Sequence, residues 1–98
     1  MLCLKVLMKV IVLYRPNSEF ARQVEEFIRG LQTRHNIDER HIEVLDYDSR
    51  EGSATASLYD IMGQPTVLVV GDDGGYVKSW QGDMPLTDEV AGYTFSFQ

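Results

Sequence analysis

Gly63-Gln64-Pro65-Thr66-Val67-Leu68-Val69-Val70 is the stretch on which the fold turns. From residue 66 onward it is β-branched or aliphatic throughout, as in a strand covered on both faces. Proline stands at its entrance, where the missing N–H takes nothing from a sheet. Beyond it, Asp72-Asp73-Gly74-Gly75 reads as a hairpin turn, because Asp-Gly and Gly-Gly supply the positive φ such turns need. Tyr76-Val77-Lys78-Ser79-Trp80 then alternates as a fourth strand.

Working back from Gly63, the spacing predicts a helix over 51–62 that turns Ala54, Leu58, Ile61 and Met62 inward and ends at Gly63. Asp48-Ser49-Arg50-Glu51 resembles a capping box at its start. Residues 41–47 read as a strand. Phe20, Val24, Phe27, Ile28 and Leu31 repeat at i, i+4, i+7, i+8 and i+11, one apolar stripe of a helix over 18–35. Asn17 or Ser18 suits its N-cap, since either side chain can accept a free first-turn N–H. Residues 9–14 form a nearly continuous apolar strand, and the apolar opening over 1–8 also reads as extended. Pro85-Leu86-Thr87-Asp88 opens a last short element. The tail alternates aromatics at Tyr93, Phe95 and Phe97, which favours an extended segment, although Val90, Tyr93 and Phe97 also align on a helix. The order is β-α-β-α-β-β-α: one α/β domain over 1–98, with a four-stranded mixed sheet and helices on both faces.

Two local patterns carry a family likeness. One is Tyr59-x-Ile61-x-Gly63-x-Pro65-Thr66 with the Gly74-Gly75 turn and Gly82. The other is Leu13-Tyr14-x-Pro16-x-Ser18-x-x-Ala21. Together with the element order they resemble the thioredoxin and glutaredoxin families over roughly residues 9–92. The first pattern is similar to their cis-proline segment, and the second to the strand end and helix start that carry Cys-x-x-Cys. Here Ser18 and Ala21 stand at the two cysteine positions, so the chain resembles a divergent member without the reactive pair.

That absence matters chemically. Thiol–disulfide exchange needs a thiolate at a helix N-terminus, and a serine hydroxyl is not ionised near neutral pH. The chain has one cysteine, Cys3, expected as a small buried hydrophobe. A lone thiol makes neither an intramolecular disulfide nor a zinc site, and it fits a reducing, cytoplasmic setting. The net charge of −6 argues against nucleic-acid or anionic-membrane binding, and no apolar run approaches a membrane span. Asp46 and Asp48 read as a strand end and a cap, and His35 and His41 as surface residues; neither pair has enough neighbouring ligands for a metal. No cofactor and no enzymatic activity are expected.

What the resemblance leaves is binding. In the family, the backbone before the proline holds an extended substrate by strand addition. Arg15, Asn17, Ser18, Phe20, Gln64, Pro65 and Thr66 would flank such a groove, and the expected partner is a protein or peptide. Two alternatives stand beside it: a serine-type glutathione-binding protein using Ser18, and a structural subunit that forms homo-oligomers through its aromatic tail.

Overall fold

Residues 66–71 form a strand inside a four-stranded sheet, and the side chains from Thr66 to Val69 are fully buried. The structure, a computed structural model, describes residues 4–6, 8–71, 73–82 and 84–97. Cys3 and Asp72 lie outside the described residues.

The elements in chain order are β1 (Leu4–Val6), β2 (Met8–Tyr14), α1 (Ala21–Arg34), a 3-10 turn (Glu39–His41), β3 (Ile42–Asp46), α2 (Arg50–Leu58), β4 (Thr66–Gly71), β5 (Tyr76–Gln81), α3 (Thr87–Thr94) and β6 (Phe95–Phe97). The sheet runs β3-β2-β4-β5. β2 and β3 are parallel, joined by the α1 crossover; β4 is antiparallel to β2, and β5 to β4. β1 and β6 pair antiparallel as a separate two-stranded ribbon. The tail is therefore helical through residue 94 and extended after it.

Alternation along β2 and β4 divides the core. Val10, Val12, Val67 and Val69 face α1 and α3, where Val24, Phe27, Leu31 and Val90 complete one cluster. Ile11, Leu13, Leu68 and Val70 face the other way, toward Ala56 and Ile61. Burying each such side chain contributes roughly 1.5–3 kcal/mol, so the central pair of strands and α1 hold most of the fold together. Trp80 is half-buried, and its ring meets Tyr93 edge-on at 5.7 Å.

α2 departs from the expected orientation. Its buried residues are Gly52 and Ala56, while Ala54, Leu58 and Met62 are exposed and only Ile61 of the predicted set is inside. The cause is a close approach: a Cβ on Gly52 would lie 1.9 Å from the Asp46 carbonyl oxygen. The helix start is drawn against the end of β3, and its small residues become the inner face. The cap also differs. Ser49, rather than Asp48, accepts the Gly52 N–H at 2.9 Å. The helix closes before Gly63, at Asp60, whose φ is +56°. Ile61 N–H donates to Ala56 C=O at 2.8 Å and Asp60 N–H to Ser57 C=O at 3.5 Å, the paired bonds of a Schellman ending.

Candidate functional site

The apolar ladder of β2 and β4 sets the site's position. Their register ends at Leu13 opposite Thr66. Carried two residues further, it places Arg15 opposite Gln64. There the main chains separate, and the Gln64 side chain fills the gap: Arg15 N–H donates to Gln64 Oε1 at 3.1 Å. The Gln64–Pro65 peptide bond is cis. Pro65 is buried, and its C=O accepts the Gly82 N–H at 2.9 Å. Gln64 itself is half-buried. Among the described residues, neither its N–H nor its C=O has a hydrogen-bond partner. A half-exposed residue with both main-chain polar groups unused therefore lies beside Arg15, at the start of the loop that leads into the first helix. Buried main-chain groups are nearly always paired, so such groups must face water or a ligand.

Arg15 organises the opposite wall. Its Nε donates to Asp48 Oδ2 at 2.9 Å, and its guanidinium lies 5.2 Å from the centre of the Tyr47 ring. Both partners come from the end of β3, which the parallel register of Tyr14 with Asp46 delivers there. The ion pair is about half exposed on each side, so it contributes at most about 1 kcal/mol and can exchange. The sequence pattern reads Asp48 only as a cap and gives Tyr47 no role at this corner; the signal that adds them is the parallel strand pair, which brings the ends of β2 and β3 together. Asp46 is spent locally, its Oδ1 accepting the Asp48 N–H at 2.9 Å. Among the described residues there is no cluster suited to a metal ion.

Ser18 does not cap α1. The helix begins at Ala21, and its N-cap position is Phe20, without a side-chain cap bond. Ser18 Oγ donates to Arg15 C=O at 2.7 Å and accepts from Phe20 N–H at 3.3 Å. The serine therefore fixes the turn before the helix, one step earlier than expected, because Pro16 and Asn17 already spend the chain on a turn closed by Ser18 N–H to Arg15 C=O at 2.9 Å. No ionisable base hydrogen-bonds this hydroxyl among the described residues. Asn17 is exposed and Phe20 half-buried on the same turn.

Thr66 is a correction to the expected groove. It is fully buried, and its Oγ1 donates to Gly63 C=O at 2.6 Å. As the first residue of a central strand its side chain is enclosed by the sheet, so it shapes the turn from inside. The histidines are likewise half-buried rather than on the surface. His35 Nε2 lies 3.0 Å from Asp88 Oδ1, without hydrogen-bond alignment.

The fold is thioredoxin-like. It superposes on a mutant thioredoxin from Halobacterium salinarum NRC-1 with a TM-score of 0.70 at 23% identity, covering 90% of this chain and 75% of that one. It also matches the oxidised C-terminal domain of DsbD from Neisseria meningitidis, with a TM-score of 0.64 at 18% identity over 88% and 76% of the two chains. A third match is Trxlp from Edwardsiella tarda EIB202, with a TM-score of 0.62 at 13% identity over 92% and 84%. No family model and no curated protein matches the sequence. Likeness at these identities concerns the fold; with a single cysteine, this chain has no Cys-x-x-Cys pair.

Proposed function

We propose that this protein is a redox-inactive, thioredoxin-like binding module that holds an extended segment of a partner protein at the main-chain N–H and C=O of Gln64. The observation that carries this reading is the unpartnered N–H and C=O of Gln64 beside the loop over 15–20. An extended segment laid there gains main-chain hydrogen bonds, and the neighbouring side chains of Arg15, Asn17, Phe20 and Gln64 confer selectivity. Pro65 supports the corner from beneath, and Ser18 holds the turn. The glutathione-binding alternative draws less support, because the Ser18 hydroxyl already donates to Arg15 C=O and the Arg15 guanidinium is already paired with Asp48. Catalysis of disulfide exchange through a Cys-x-x-Cys pair draws none, since the chain has a single cysteine.

The test is a titration of isotope-labelled protein with a pool of unstructured octapeptides, read by backbone amide shifts. Saturable shifts concentrated at 15–20 and 63–65 support the module. Shifts that leave those residues unmoved while the pool binds elsewhere contradict it.

A further inference from the structure

Leu58, Met62 and Tyr76 are large apolar side chains left 73%, 86% and 56% exposed. All three gather on the side of the sheet that α2 covers only in part. A groove of about 380 Å³ lies between the end of α2 and β5, lined by Leu58, Tyr59, Asp60, Tyr76, Ser79 and Gln81. Met62 stands at its Gln81 end, donating its N–H to Gln81 Oε1 at 3.1 Å. The groove is open because Gly52 and Ala56 draw α2 toward β3 and away from β5. Its walls are braced: Tyr59 Oη donates to Gly74 C=O at 2.6 Å, and Tyr76 Oη lies 3.1 Å from Ser79 Oγ. β5 is an edge, pairing with β4 alone among the described residues. A strand edge next to a groove of mixed polar and apolar lining offers main-chain hydrogen bonds and side-chain sites together.

One residue of this groove bears on the occupant's charge. Asp60 is its single charged lining residue and has no ion-pair partner among the described residues. It sits at φ +56°, where glycine would be easier. It also places a carboxylate just past the C-terminal end of α2, the end at which the helix dipole disfavours negative charge. A carboxylate without an ion-pair partner among the described residues, in a groove flanked by exposed apolar side chains, matches a basic side chain on a partner.

We propose that this surface binds an extended cationic and apolar segment of another protein, added as a fifth strand along β5. Aliphatic or aromatic side chains of that segment rest on Leu58, Met62 and Tyr76, and a lysine or arginine meets Asp60. A second copy of the chain fits less well, since it brings a further net charge of −6. The proposal stands apart from the Gln64 corner and uses different residues.

The test uses the full chain and two probes: acetyl-Val-Lys-Val-Phe-Lys-Val-amide and its counterpart with glutamate in place of lysine. The lysine peptide is expected to shift the amides of Leu58, Tyr59, Tyr76 and Ser79 saturably. The glutamate peptide should bind about tenfold more weakly, attraction at Asp60 having become repulsion. Asp60→Gly should raise the melting temperature yet weaken the lysine peptide about two- to fivefold, the range of one exposed ion pair. Leu58→Ser, at an exposed position, should weaken both probes with the fold unchanged. Equal binding of the two peptides, unaltered affinity in Asp60→Gly, or shifts outside this surface would overturn the proposal. So would a peptide-free, concentration-dependent dimer abolished by Leu58→Ser, which would assign the surface to self-association.

Discussion

Gly52 has no room for a side chain, since a Cβ there would stand 1.9 Å from the backbone oxygen of Asp46. Neither a rotamer change nor a flexible neighbour relieves a clash with main chain. Gly52→Ala should therefore destabilise the protein by about 2–3 kcal/mol, as overpacking does, despite alanine's better helix propensity. A urea melt measures this, and an unchanged midpoint would contradict the close approach. Asp38 gives a pH-dependent counterpart. The Arg40 backbone N–H, donated to its carboxylate at 3.1 Å, is the main cause holding that carboxyl below the usual range, with the Arg40 charge adding to it. A depressed folded value means that stabilisation is present above the unfolded value and is lost as pH falls through the folded one. Because the leading cause is a backbone group, the Asp38 carboxyl in Arg40→Ala should still titrate below the usual range by NMR. A return to the ordinary value would assign the effect to the side chain instead.

At the scale of elements, α2 shows what a residue pattern can and cannot reveal. The helix itself was legible from its polar start and apolar spacing, but its inner face was not. Leu58 and Met62 are the larger hydrophobes, and periodicity alone turns them inward. The deciding contact is between Gly52 and the carbonyl of a residue on another element, which no periodicity encodes. By this account Leu58→Gln and Met62→Gln each change stability by less than about 0.5 kcal/mol, as surface substitutions do. Ile61→Ala costs about 2–4 kcal/mol, because Ile61 is 5% exposed and seals the helix end against Ala56. Thermal melts of the three variants separate the two orientations, and a large loss in Leu58→Gln would restore the inward face. The candidate site was legible to a similar degree. Local patterns of proline, glycine and strand ends point to Arg15, Ser18, Gln64 and Pro65, and the structure places Arg15 against both Ser18 and Gln64. They do not point to Tyr47 and Asp48 at this corner, since only the register between β2 and β3 brings them to Arg15. Thr66 was misplaced for a related reason: as a strand's first residue it is polar in sequence but enclosed in space.

Across the whole molecule, the antiparallel pairing of β4 with β2 and the parallel pairing of β3 with β2 converge on one corner. The end of β2, the end of β3 and the turn before β4 meet there, with the first helix starting beside them. The β1–β6 ribbon takes no part in the four-stranded sheet. The Ser18 turn, the Arg15 pairs and the unpartnered main-chain groups of Gln64 lie together at this corner. A backbone N-methyl scan tests the proposed main-chain pairing to Gln64. The tightest octapeptide from the pool is synthesised with each amide methylated in turn, and its affinity for the protein is measured by calorimetry. Methylation at one or two adjacent interior positions is expected to weaken binding about tenfold, the loss of a hydrogen bond to a group left partly desolvated. A scan in which no methylation alters affinity would contradict main-chain capture at Gln64.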